Sequence, residues 1–203
     1  MNIIIHESFV NIYNKDPKIF TKVFRNLKTI STLTKRIEKI SESYTEIGYD
    51  SCDKLKGDLF EIFAEAFFKL LSSDNRVGVY KYKPVLSFDD YGVDGYGIGM
   101  NDLPLTVQVK YRVDFDKKLL ERDIKQFGFQ SITQFNVDAK TNTNMLVFTN
   151  ADSLHWITDS RTFSGSIKCI GNKEIKKLIN NNHVFWSNLN DMLKNTARKL
   201  YGL

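Results

Sequence analysis

Val107-Gln108-Val109-Lys110-Tyr111, following Leu103-Pro104-Leu105-Thr106, decides how this chain folds. Side chains of a strand point to opposite faces in turn, so Gln108 and Lys110 share one face while Val107, Val109 and Tyr111 take the other. A lysine on such a strand is costly to bury unless a carboxylate pairs it. The strand spans 103–112. Two more strands read upstream, at 77–83 and 91–98. Asn101-Asp102 marks the reversal that makes 91–98 and 103–112 an antiparallel pair.

Working outward, 119–129 reads as a helix with Leu119, Leu120, Ile124 and Phe127 on one side. Met145-Leu146-Val147-Phe148, within 144–149, is a short buried strand, and 166–170 is another. Helices follow at 173–181 and 189–203. Before the strands, 53–71 is a strongly apolar helix (Leu55, Leu59, Phe60, Phe63, Phe67) whose wide apolar face predicts burial against a sheet. Ser72-Ser73-Asp74-Asn75 ends it. Asp16-Pro17 opens the first helix, with Asp as N-cap, and Ile19, Phe20, Val23, Phe24, Leu27 and Ile30 carry it forward. A second helix covers 31–44. The order of elements predicts an α/β fold with one mixed central sheet flanked by helices. Residues 1–50 form an N-terminal helical arm, 51–182 the core, and 183–203 a C-terminal helix.

A chain of 203 residues, 42% of them hydrophobic, can bury a proper core, so disorder is not expected. The formal charge of +5 permits a phosphate-binding surface without requiring one. Cys52 and Cys169 stand far apart with no Cys-x-x-Cys spacing, and three His complete the soft ligands. A structural zinc site is therefore not expected, and both thiols read as reduced. Met1-Asn2-Ile3-Ile4-Ile5-His6-Glu7 has no basic lead and too short an apolar run for a signal peptide. No stretch nears the roughly 20 apolar residues of a membrane span. The expectation is a soluble protein of the cytoplasm, in a prokaryotic or phage-infected cell.

Asp94 lies among Gly92, Gly95, Gly97 and Gly99. Glycines this dense predict a bulge, or a close visitor such as a DNA phosphate; the alternative is a bent hairpin with Asp94 in a turn. Asp89 and Asp90 are rivals for the same role at the entrance to the strand. Glu61 and Glu65 are one helical turn apart and face the same way. On their own they read as a solvent stripe shared with Asp58 and Lys69, and Gln-x-Lys alone reads as a surface strand. Taken in order, a helix acid, a strand acid and Gln-x-Lys are what metal-assisted phosphodiester cleavage needs. Mg²⁺ takes a few carboxylate oxygens plus waters, which two acids and a strand carbonyl supply.

Gly57-Asp58-Leu59-Phe60-Glu61, Tyr91-Gly92-Val93-Asp94-Gly95 and Val107-Gln108-Val109-Lys110-Tyr111 together resemble the PD-(D/E)XK nuclease superfamily. The likeness is closest to its Mrr-like restriction endonuclease branch, with G-x-x-F-E, G-x-D-G and Q-x-K. It covers about 54–150, extending to 182 if the strand at 167–170 and its following helix are counted. Gln108 stands where most of the superfamily has an acid, which removes one negative charge from the site. The resemblance implies a restriction-endonuclease-like core and a Mg²⁺-dependent endonuclease acting on DNA, with Mn²⁺ as substitute and 5′-phosphate ends as product. It implies that Asp94 binds the metal with the Val109 carbonyl and the Gln108 amide oxygen, and that Glu61 completes the shell. Lys110 would position or deprotonate the water, or stabilise the phosphorane.

Arg112, Lys117, Lys118, Arg122 and Lys125 follow the strand and either line a phosphate groove or form a solvated helix face. Gln126 and Gln130 compete to face the site. Phe185 and Trp186 read as core, and His155 and His183 have no role. Three uses fit the implied activity: a restriction or defence enzyme, a phage or homing enzyme whose basic N-terminal arm grips DNA, and a junction resolvase. A homodimer or higher homo-oligomer would place two sites on opposite strands of a duplex. A DNA-binding module that does not cleave, and an interaction protein with no nucleic-acid role, are the alternatives.

Overall fold

The Gln-x-Lys strand is the centre of a five-stranded mixed sheet, ordered β1-β2-β3-β4-β5 in the computed structural model. The structure describes residues 3–85, 92–113, 121–137, 144–152 and 167–202. The strands are β1 (Val79–Pro84), β2 (Gly95–Gly99), β3 (Pro104–Lys110), β4 (Met145–Thr149) and β5 (Ile167–Ile170). β1, β2 and β3 pair antiparallel, and β3, β4 and β5 pair parallel. The predicted α/β class and antiparallel β2–β3 pair are both present, with Asp102 turning the chain at φ +57°.

The helices are α1 (Glu7–Lys15), α2 (Lys18–Phe24), α3 (Ile30–Ser41), α4 (Cys52–Leu70), α5 (Glu121–Phe135), α6 (Asn172–Ile179) and α7 (His183–Tyr201). The chain divides into two compact units: Met1–Leu70 with Ile175–Leu203, and Leu71–Glu174. The first is helical and includes α4. The second holds all five strands and α5.

In the sheet unit, Leu105, Thr106, Val107, Gln108 and Val109 are all buried, so β3 is covered on both faces. The Thr106 hydroxyl donates to Ser131 Oγ on α5 at 2.8 Å, and Thr106 shares its face with Gln108. On that side Val93, Ile124, Phe127, Met145 and Val147 form one apolar core. The alternation in β3 therefore separates two buried faces, and the reading of Gln108 as a solvated surface residue fails.

The glycines of β2 are explained by the chain itself. A Cβ at Gly97 would come within 2.6 Å of the Tyr80 carbonyl, where β1 shifts register and Lys81 takes φ +52°. A Cβ at Gly95 would overlap the Tyr82 ring, and one at Gly99 would meet the Asn144 amide. The close visitor at these three positions is protein, and the expected DNA phosphate is not needed to account for them.

In the helical unit, α1 is an element that the sequence reading missed. His6 caps it: Ser8 N–H donates to His6 Nδ1 at 3.2 Å. Asp16 Oδ1 accepts Lys18 N–H at 2.9 Å, although Asp16 closes α1 and the residue at the N-cap of α2 is Pro17. α2 ends at Phe24, and Asn26 at φ +56° breaks the chain. Ile30 thus starts α3, capped by Thr29, and does not finish the first helix. α7 starts at His183, earlier than expected, because Asn182 Oδ1 accepts Phe185 N–H at 3.1 Å. Within this unit α4 packs on α1, α3 and α7. Phe63 stacks on Trp186, and Trp186 and Phe185 are core as predicted. Among the described residues no helix is long and apolar enough to cross a membrane.

Candidate active site

Gly92 adopts φ +84°, a conformation open to glycine and strained for other residues. Its carbonyl accepts a hydrogen bond from Gln108 Nε2 at 3.0 Å. Gln108 is only 2% exposed, and with its nitrogen committed to Gly92 its Oε1 has no hydrogen-bond partner among the described residues. A buried acceptor left in that state costs about 1–3 kcal/mol. Such an oxygen calls for an explanation, and a cation is one.

Asp94 is tied to β3 by backbone and side chain together. Its N–H donates to the Val107 carbonyl at 3.0 Å, although the register pairs Val107 with Gly95. Asp94 lies just before β2, and this bond ties it to β3. The Asp94 carbonyl accepts Val85 N–H at 3.1 Å, and Asp94 Oδ2 accepts Val109 N–H at 2.5 Å. The carboxylate is thereby held against the strand that carries Gln108 and Lys110.

Lys110 closes β3 opposite Thr149 and is half-buried. Just beyond it, Asn150 clamps the chain: Arg112 N–H donates to Asn150 Oδ1 at 2.7 Å, and Asn150 Nδ2 donates to the Arg112 carbonyl at 2.8 Å. The sequence reading missed Asn150. Its signal was a polar residue directly after the apolar run Met145-Leu146-Val147-Phe148-Thr149, and it is fully buried.

Asp94 and Gln108 Oε1 offer oxygen donors of the kind that hard cations take. Among the described residues no three His, Cys, Asp or Glu side chains gather as a metal group. Magnesium keeps several waters and takes one or two carboxylates, so Asp94 with the bare Gln108 oxygen fits its habits. Cys52 and Cys169 are not joined in a disulfide, and both are partly buried.

Glu61 belongs to the helical unit. His6 Nε2 lies 3.1 Å from Glu61 Oε2 and donates to it, while Nδ1 serves the α1 cap. Burial opposes the imidazolium, yet the hydrogen bond and charge of Glu61, with Glu65 and Asp58 behind it, raise the His6 pKa. Glu65 is wholly buried, accepting Ile5 N–H and His6 N–H at 2.8 Å each and pairing with Lys69. Burial and then the Glu61 charge push the Asp58 carboxyl above its ordinary range. The reading of Glu65 and Asp58 as a solvent stripe therefore fails; both turn inward and Glu65 straps the N-terminal segment to α4. His6 was not singled out from the sequence, because no spacing links it to Glu61.

Gln126 is exposed on α5, with its side chain 3.4 Å from where a Gly92 Cβ would stand, so it rather than Gln130 flanks the Gly92–Gln108 pair. Lys125 is exposed on the same helix. Lys117, Lys118, Asp89, Asp90, Tyr91, His155 and the side chain of Arg122 lie outside the described residues. In comparisons with known proteins, the sequence matches no protein-family model and no curated protein.

Proposed function

We propose that this protein is a Mg²⁺-dependent endonuclease hydrolysing phosphodiester bonds in DNA and leaving 5′-phosphate ends, with Mn²⁺ as a substitute metal. The observation that supports it most is the Gln108 amide, clamped through its nitrogen and bare at its buried oxygen, on the strand to which Asp94 is bonded. In this reading Asp94, Gln108 Oε1 and the Val109 carbonyl hold the metal. When bound, magnesium lowers the pKa of a water and neutralises charge at the scissile phosphate. Lys110, two residues past Gln108 on the same face of β3, brings an ammonium to the attacked phosphate. Gly92 fixes the Gln108 rotamer, and Asn150 fixes the backbone after Lys110.

Supercoiled plasmid incubated with Mg²⁺ should be nicked and then linearised, and EDTA should abolish both. Asp94→Asn and Lys110→Ala should each lower the rate by about a hundredfold or more, the usual loss of a charge-stabilising group. Full Mg²⁺-dependent cleavage by either variant removes the proposal. A four-way junction offered beside the plasmid separates a resolvase preference from general duplex cleavage.

The bond between Glu61 and His6 favours a second reading, a DNA-binding module that does not cut. Glu61, which the family resemblance adds to the metal shell, has Oε2 engaged by His6, which leaves Oε1 as its oxygen for a metal. Retention on DNA that EDTA does not disturb, with no cleavage under any metal, selects that reading.

A further inference from the structure

We infer that the groove lined by α1, α2 and α7 in the helical unit is a binding site for the phosphodiester backbone of DNA. Its volume is about 1140 Å³. His183, Ser187, Asn190 and Lys194 line it from α7, at the spacing that keeps residues on one helical face. Opposite, the break after α2 supplies the rim: Leu27 is buried as an anchor, and the extended Arg25 and left-handed Asn26 leave Arg25 and Lys28 exposed. Trp186 lies in the floor with its indole N–H donated to the Ile179 carbonyl at 2.8 Å, so it shapes the groove and is not free to stack on a base.

Charge identifies the occupant. Arg25, Lys28 and Lys194 are cations exposed at the groove, and Asp191 is the one acid among the lining residues. Asp191 stands 3.9 Å from Lys194 with both side chains largely exposed, a contact too weak to neutralise the rim. The division of the chain sharpens the point. The helical unit has 16 Lys and Arg against 11 Asp and Glu, a surplus of 5, whereas the sheet unit has 13 of each. The net positive charge thus belongs wholly to the helices. Several cations along one groove match a ligand with regularly repeated phosphates, and phosphate contacts of this kind hold and orient DNA without reading its sequence.

The test is fluorescence anisotropy with a short fluorescein-labelled duplex, titrated with the full chain in EDTA over a series of salt concentrations. The wild-type protein should bind and weaken steeply with salt. The triple variant Arg25→Ala, Lys28→Ala, Lys194→Ala should bind about tenfold more weakly or worse at low salt. Its log–log salt slope should shrink by roughly 2–3, since each phosphate contact contributes about 0.9. Removing two exposed lysines of the sheet unit, Lys168→Ala with Lys173→Ala, should change affinity by less than about twofold, because neither side chain lines this groove.

The inference is overturned if the triple variant binds like the wild type, if the sheet-unit control loses as much, or if no DNA is bound. It is also overturned if only acidic phospholipid vesicles are bound. A single strand of the same sequence, run in parallel, shows whether one strand suffices. Should the triple variant fail to fold, the exposed single reversal Lys194→Glu takes its place with the same expected direction. Binding in EDTA is read without cleavage, so a protein that binds here but never cuts keeps this site while losing the nuclease proposal.

Discussion

Asp58, Glu61 and Glu65 occupy one stretch of α4 and meet three different fates, set by what each touches. Glu65 is wholly buried and saturated by two backbone N–H groups and Lys69, Glu61 is bonded to His6, and Asp58 is buried with a raised pKa. The last has a consequence for stability. A raised folded-state pKa means that the folded chain binds this proton more readily than the unfolded one. The stability attached to it is fully present below the ordinary value of 3.8 and is lost as pH rises through the raised value. Asp58→Asn has no proton to lose. It should melt at a higher temperature than wild type at neutral pH, with the difference fading as pH falls below about 4. A melting difference that stays constant across that range would contradict this account. On β3, Gln108 was legible as a candidate from its place in Gln-x-Lys. Its bare oxygen was not, because that depends on Gly92, sixteen residues away in the chain, taking the nitrogen.

For the elements, periodicity and turn chemistry served β3, β4 and α4 well, since alternation, Asn101-Asp102 and a run of apolar residues are local signals, whereas β2 starts at Gly95, later than predicted. α1 was missed because its start rests on a histidine cap and its anchorage on Glu65, which lies far along the chain. α4 holds a residue that neither packing nor helix formation explains. A Cβ at Gly57 would meet nothing within 4 Å, yet glycine inside a helix costs about 0.5–1 kcal/mol relative to alanine. Gly57→Ala should therefore stabilise the protein by that amount in urea denaturation. If the glycine of the G-x-x-F-E pattern is there to admit a DNA backbone, the same variant should cut more slowly while melting higher. Unchanged cleavage would leave Gly57 without a functional account.

Across the whole molecule, charge and candidate chemistry are carried by different units: the surplus of basic residues belongs to the helices, and Asp94, Gln108 and Lys110 to the sheet. One candidate site per chain has a kinetic signature. Under the proposed activity a single site would cut one strand at a time, so supercoiled plasmid should pass through a nicked form at low protein concentration. Linear product should then rise more steeply than in proportion to protein as two copies come to act together. Linear product that is first order in protein, with no nicked intermediate, would exclude that arrangement. The sequence by itself determined the α/β class, the antiparallel β2–β3 pair and the strand that carries Gln-x-Lys, because these follow from side-chain alternation and a short reversal. Only the tertiary structure decided that Glu61 is bonded to His6, that Gln108 is buried with one oxygen unpaired, and that the glycines of β2 make room for the chain's own atoms. Those facts depend on which distant residues packing brings within a few ångströms, and no local pattern encodes that.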